Sequence, residues 1–324
     1  MKVLLIGLGR WGEKHFRVLI ELGADVWVAD LSDERRALAM RAGVVPARVV
    51  KDFRAAVAEV DAVDLVTPAD THLALAAECL RAGKDCFVEK PLALTADQGR
   101  GLAEIQESTG RFLQVGHIFR FHPVTEALRE WLASWETGAI RYGTGRFAGF
   151  KRPRTDVGVT MTDAIHYFDL FAYLLGQAPT AVTATLSDHL GRGMDDSSFS
   201  TVEYGSVPVF IEAGYFAPGT HRECVIVAER STAAADFLTS EVRVHVNRHV
   251  LTGEGWQAPE GAVRTLKVSG PEPLRRELEL FLDAVARRDP PPVDAEAGVV
   301  ALRTVEAARR SSELGRRVTL AEVE

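Results

Sequence analysis

Cysteine is scarce in this chain of 324 residues: there are three, Cys79, Cys86 and Cys224. An odd count at wide spacing supplies neither a disulfide framework nor a CxxC metal knuckle. Such usage fits a reducing compartment, so a cytoplasmic location is expected. Positive charge is also short. With 38 Lys and Arg against 45 Asp and Glu, the net charge is −7. An acidic chain lacks the basic face that general nucleic-acid binding needs. No uncharged apolar run approaches the roughly 18 residues of a membrane span. The first apolar run is short, ends at Gly7 and carries no signal-peptide cleavage pattern. Lysine is rare too, seven residues against 31 arginines, so a lysine in a suggestive place stands out. What is present is ordinary globular material, 47% hydrophobic and 26% charged, which excludes disorder and fibrous repeats. The length predicts two domains.

The first half alternates strand and helix. Residues 2–6, KVLLI, read as a central parallel strand buried on both faces. Gly7-Leu8-Gly9-Arg10-Trp11-Gly12 follows as a GxGxxG, then a helical pattern, then a strand over 25–29 ending at Asp30. Gly12 and Asp30 lie 18 residues apart, close to the spacing of a dinucleotide fold. Gly7 allows the tight turn, Gly9 lets backbone amides approach a pyrophosphate, and Gly12 lets the helix pack close to the strand. The helix N-terminus then faces the phosphates. Asp30 would accept the adenosine ribose hydroxyls and repel a 2′-phosphate, so NAD is expected over NADP. Arg35 and Arg36, a turn further on, work against that preference. Strands over 61–66, 86–88 and 112–115 and helices over 73–80 and 95–109 continue the alternation, Thr95 serving as N-cap. Such units build a parallel sheet covered by helices. Its ligand crevice lies at the carboxyl ends of the strands, where three segments converge. These are Gly7–Gly12, Thr67–His72 (with Pro68) and Glu89-Lys90-Pro91. Proline after Lys90 keeps the lysine out of the helical region and aims it at the crevice.

With that step in place the chain resembles the glucose–fructose oxidoreductase/inositol dehydrogenase (Gfo/Idh/MocA) family. The matching pieces are GLGRWG (7–12), TPADTH (67–72), AGKDCFVEKPLALT (82–95), RFHP (120–123), TDAIHYFDL (162–170), PLRRELELFLDAV (273–285) and AEAGVVALRTVEAARRSSELGRRV (295–318). The resemblance implies an N-terminal Rossmann domain, here 1–118. It also implies a C-terminal α/β domain with an open, mostly antiparallel sheet, here 119–324, the terminal helix being free to pack back on the Rossmann half. It implies a nicotinamide cofactor and a secondary alcohol on a sugar, sugar derivative or cyclitol. It places the catalytic histidine at His166. Family members commonly carry an Asp four residues before that His. Thr162 stands there in this chain, and Asp163 is the nearest acid.

In the second half, strands are expected over 140–147, 180–186, 199–204, 207–216, 224–228, 235–237 and 242–246. A one-sided sheet needs cover on its other face, so a homodimer or homotetramer is expected. One helix carries the chemistry, with Asp163, His166 and Asp169 on one face and Ile165, Phe168, Ala172 and Leu175 on the other. Asp169 has no obvious mate. Arg120 is expected near the domain junction as a substrate-binding residue. Lys151 and Arg154 belong to a basic cluster that would clamp a phosphate or carboxylate on the substrate.

The expected reaction moves hydride between a carbinol carbon and the nicotinamide. His166 removes the hydroxyl proton, Lys90 holds the same oxygen, and Asp163 orients substrate or His166. No residue cluster with metal-ligand spacing is present in the sequence, so no metal is expected. Two other classes share the fold. An NAD-dependent glycosidase would need further acid–base groups, and a non-enzymatic NAD-binding sensor would have no need of both Lys90 and His166.

Overall fold

The computed structural model describes residues 1–323. In chain order the elements of the first half are β1 (Lys2–Ile6), α1 (Gly12–Glu21), β2 (Asp25–Ala29), α2 (Asp33–Arg41), β3 (Val49–Val50), β4 (Ala62–Leu65), α3 (His72–Arg81), β5 (Asp85–Glu89), α4 (Ala96–Thr109), β6 (Leu113–Gly116) and α5 (Pro123–Ala133). Then come β7 (Ile140–Gly149), a π-helical turn (Thr160–Ala164), α6 (Ile165–Leu175), β8 (Ala181–Ser187), β9 (Ser197–Tyr204), β10 (Val207–Gly214) and β11 (Thr220–Ala228). The chain closes with β12 (Thr232–Asp236), β13 (Glu241–His245), β14 (Val250–Thr252), β15 (Gly255–Gln257), β16 (Val263–Leu266), α7 (Pro273–Arg287), α8 (Ala295–Leu314) and β17 (Val318–Thr319). Contacts group Met1–Ile118 with Glu272–Leu302 in one compact unit, and Phe119–Pro271 with the chain from Arg303 in a second.

The first unit is a parallel sheet in the order β3-β2-β1-β4-β5-β6. Helices cover both faces, so β1 is an apolar run from Val3 to Ile6 and all of β5 is buried. The order reverses between β1 and β4, and there the carboxyl ends of the strands open a crevice. Phe16 and Leu19 of α1 share a core with Val3, Leu5 and Phe87, and with Leu274, Leu278 and Phe281 of α7. Those three lie along one stripe of α7, at helical spacing. Glycine brings the start of α8 against the same unit. A Cβ on Gly298 would meet Leu92 and Val115 at 3.0 Å. The Thr95 hydroxyl caps α4 by accepting the Gln98 amide at 3.2 Å.

The second unit is a nine-stranded sheet in the order β16-β13-β12-β11-β7-β10-β9-β8-β17. Every pairing is antiparallel except β7 with β10. The strands alternate as a one-sided sheet requires. In β10, Val207, Val209 and Ile211 face the core while Phe210 and Glu212 face out. Helix α6 lies directly on β7 because that strand offers glycines. A Cβ on Gly145 would sit 2.7 Å from Tyr167, and one on Gly143 2.8 Å from Phe171. The Tyr167 hydroxyl closes the contact by donating to the Glu223 carbonyl at 2.8 Å. Among the described residues no helix is long and apolar enough to cross a membrane.

Candidate active site

In the first unit the three glycines do different work. Gly7 has φ +95°, and a Cβ there would lie 2.4 Å from the Val66 carbonyl oxygen. A Cβ on Gly12 would lie 2.0 Å from the Gly7 carbonyl oxygen. At Gly9 a Cβ would meet nothing within 4 Å. The outer glycines are therefore forced by the protein's own backbone, and the middle one borders open space. That space is a cleft of about 930 Å³, bordered by Gly7, Gly9, Asp30, Leu31, Thr67 and Pro68. Asp30 is pinned at the end of β2. Its Oδ2 accepts the Leu8 amide at 2.7 Å and its Oδ1 the Ser32 amide at 2.8 Å. The open middle glycine, the helix start behind it and the fixed carboxylate suit a dinucleotide's pyrophosphate and ribose. Arg35 is engaged by Glu13, and Arg36 by Asp33 and the Asp30 carbonyl. Two cations outside the expected set, Lys51 and Arg54, border the same cleft, and Arg54 is tied to Glu78 at 2.5 and 2.6 Å.

The other residues expected at the cofactor separate from this group. Glu89 and His72 are buried. Glu89 Oε1 accepts the Trp11 indole N–H at 2.7 Å, and its Oε2 accepts the Lys90 amide at 3.1 Å. His72 Nδ1 lies 2.7 Å from the Pro91 carbonyl oxygen and Nε2 2.9 Å from that of Thr67. Burial lowers the His72 pKa, so the ring is neutral and donates to one of these carbonyls at a time. Both side chains thus brace the loops that border the cleft. Trp11 is half-buried and Arg10 exposed. Lys90 follows β5 directly, and the Lys90–Pro91 peptide is cis.

In the second unit, His166 opens the first turn of α6 and is only 7% exposed. Its ring stacks on Phe147 (centroids 5.2 Å, planes 9° apart) and lies 5.1 Å from Phe119. The Phe147 ring also carries two cations. Lys151 Nζ is 4.9 Å from its centroid, and the Arg222 guanidinium carbon is 3.3 Å away. Arg222 faces Phe147 across the β7–β11 ladder. Lys151 Nζ reaches Asp163 Oδ2 at 2.6 Å. Burial lowers the Lys151 pKa against the opposing pull of Asp163. Thr162 Oγ1 sits 3.1 Å from the Tyr215 hydroxyl and 3.2 Å from the Gly158 carbonyl oxygen. Asp195 holds the start of this segment, accepting the Thr160 amide at 2.7 Å and its hydroxyl at 2.6 Å.

Two expectations change here. The segment around Asp163 is not continuous α-helix: Thr160–Ala164 form a π turn, so Asp163, His166 and Asp169 do not form one regular stripe. Asp169 does have a mate. Arg120 grips it through Nη2 at 2.5 Å and Nε at 2.9 Å, both side chains largely buried. Arg120 is therefore held in an internal ion pair. Arg154 is likewise paired, with Asp156 at 2.5 and 2.8 Å. Of the expected clamp, Lys151 joins the group around His166 through the Phe147 ring and Asp163. Phe119, Phe147, Tyr215, Arg222 and Asp195 were not legible as site residues, because strand register and loop return bring them there.

Comparison with known proteins agrees with both units. Residues 1–117 match the family model described as the oxidoreductase family, NAD-binding Rossmann fold, and 139–320 match its C-terminal alpha/beta domain. A UDP-N-acetylglucosamine 3-dehydrogenase from Acidithiobacillus ferrooxidans is 29% identical over 92% of this chain and 93% of its own. A solved structure of that enzyme superposes with a TM-score of 0.83, covering 97% of this chain and 98% of the other at 27% identity. An inositol 2-dehydrogenase from Rhizobium meliloti is 28% identical over 98% of each chain. The chain belongs to the Gfo/Idh/MocA oxidoreductase family and is an NAD(P)-dependent dehydrogenase acting on CH–OH groups.

Proposed function

We propose that the enzyme interconverts a secondary alcohol and ketone on a sugar, nucleotide sugar or cyclitol, with NAD as its cofactor. His166 is the acid–base group and Lys90 holds the reacting oxygen. The observation that carries the reading is the setting of His166, a nearly buried imidazole packed by Phe147 and Phe119 beside the Lys151–Asp163 pair. Oxidising an alcohol releases a hydride equivalent and a proton. Bound NAD would accept the former. The proton needs a base whose pKa lies near working pH, and imidazole meets that need. The two phenyl rings keep water from competing for it. Lys90 supplies an ammonium that stabilises negative charge growing on the oxygen. Asp163, tied to Lys151, would orient substrate hydroxyls.

With Arg120 held in a buried pair with Asp169, Lys151 and Arg222, the two cations on the Phe147 ring beside His166, favour an anionic substituent. They support a nucleotide sugar beside the cyclitols and plain sugars. The outward sheet face, with Tyr142 and Phe210 rings 6.2 Å apart and Phe199 56% exposed, supports a homo-oligomer.

The test is NADH formation with a panel of myo-inositol, scyllo-inositol, D-xylose and UDP-N-acetylglucosamine. At least one should be oxidised. His166→Asn should lower kcat on that substrate by about 100-fold or more, as loss of a general base does. Unchanged turnover in that variant, or in Lys90→Ala, would refute the assigned roles.

A further inference from the structure

A buried cluster of charges in the first unit has no part in the chemistry assigned above. His15, one turn into α1, is fully buried. Its Nδ1 lies 2.9 Å from Asp64 Oδ2 on β4, and its Nε2 lies 3.1 Å from Glu89 Oε1 at the end of β5. A neutral imidazole has one N–H, so donation to both carboxylates requires the imidazolium. Burial opposes that charge, but Asp64 and then Glu89 outweigh it and raise the His15 pKa to about 10. His15 and Trp11 together hold Glu89 below its ordinary pKa despite burial, whereas burial pushes Asp64 up.

The chain of contacts continues outward. Glu89 Oε1 also accepts the Trp11 indole, inside the glycine loop, and Oε2 accepts the main-chain amide of Lys90. The neighbouring strand makes room for this carboxyl: a Cβ on Gly116 would lie 3.0 Å from Glu89 Cδ. Stability alone does not account for the arrangement. Buried ion clusters are commonly no better than apolar packing of the same volume. This one holds two carboxylates against one imidazolium, and Asp64 Oδ1 has no hydrogen-bond partner among the described residues.

We propose that Asp64, His15 and Glu89 form a positioning relay that fixes the Lys90 main chain and the Trp11 indole together, tying the glycine-loop helix to the strand end that carries the lysine. These are positioning residues, acting through Lys90 and Trp11. The relay rests on the reading of Lys90 as a site residue, and its test separates the two.

The seven lysines of the full chain can be 13C-methylated reductively and followed by NMR, with Lys90→Arg assigning one signal. NAD affinity is titrated on unmethylated protein. In Glu89→Gln and His15→Gln the Lys90 signal should move while the other lysine signals stay in place. NAD binding should weaken on the order of tenfold, the equivalent of one charge-assisted hydrogen bond. Trp11→Phe removes the indole N–H with part of a half-buried ring, leaves the buried charges in place, and decides the matter if the buried variants fail to fold. It should shift the same signal in the same protein. A folded variant with the Lys90 signal unmoved and NAD affinity unchanged would overturn the relay. Should Lys90→Ala keep full turnover while the Lys90 signal still responds to Glu89→Gln, the catalytic reading of Lys90 falls and the relay stands.

Discussion

Replacing Gly9 by alanine should leave the fold intact and cost the enzyme its cofactor affinity. A Cβ at Gly9 meets no protein atom within 4 Å, and the residue is not held at a positive φ. Alanine at a compatible glycine reduces the entropy of the unfolded chain, so stability should be unchanged or rise by about 0.4–1 kcal/mol. The new methyl, however, projects into the side of the loop that borders the cleft. Losing one amide hydrogen bond to a charged phosphate costs about 1.5–3 kcal/mol, or about 10- to 150-fold in NAD Kd. Gly12→Ala is the control with the opposite signature. Its Cβ would lie 2.0 Å from the Gly7 carbonyl oxygen, so the backbone must move, at about 1–3 kcal/mol of overpacking or more. Thermal melts with and without NAD, together with calorimetric titration, read both quantities. An unchanged NAD affinity in Gly9→Ala, with normal melting, would refute the assignment of the loop to the pyrophosphate.

Arg120→Met should destabilise the protein by about 3–5 kcal/mol, since it leaves Asp169 buried without its ion-pair partner; denaturant unfolding checks this. Arg120→Met with wild-type stability would place that pair outside the folded core. Stability should also fall with rising pH. His15 titrates at about 10 when folded against an ordinary 6.5, so its contribution is complete below pH 6.5 and drains as pH climbs toward 10. His15→Gln should flatten that alkaline limb of the melting profile. On the acid side, burial lowers His122 to about 4, so its contribution holds above pH 6.5 and is lost between 6.5 and 4. His122→Gln should flatten that limb in turn. Finally, Lys151→Met should raise KM for an anionic nucleotide sugar about tenfold more than for an uncharged cyclitol, in steady-state kinetics with each.

Local signals made much of the fold legible. Val3–Ile6 is apolar throughout because the strand is buried on both sides, and Thr95 carries its capping hydroxyl at the start of α4. The glycine loop was readable from its spacing; in the fold Gly7 abuts the Val66 carbonyl, Gly12 abuts the Gly7 carbonyl, and Gly9 borders the open cleft. What was not readable is either short or non-local. Val49–Val50 is a strand of two residues, too brief for any period to show. The hairpin β14–β15 is exposed and lacks an inward stripe. Arg120 and Asp169 are 49 residues apart, and nothing near either one announces the other. Arg222 meets Phe147 only through strand register. The π turn carries no sequence period of its own; it begins where Asp195, 35 residues on, captures Thr160. The family resemblance pointed to His166 and a basic cluster to Lys151, but their aromatic surroundings depend on how the sheet closes around α6.

The most direct test of the central claim is the single-turnover spectrum of the purified enzyme loaded with NAD and mixed with each member of the polyol and nucleotide-sugar panel. The account predicts that NADH absorbance appears with at least one substrate in the wild-type enzyme. It predicts that His166→Asn, still binding NAD with parent affinity, slows that appearance by about 100-fold. NADH formation at the parent rate in His166→Asn would contradict it.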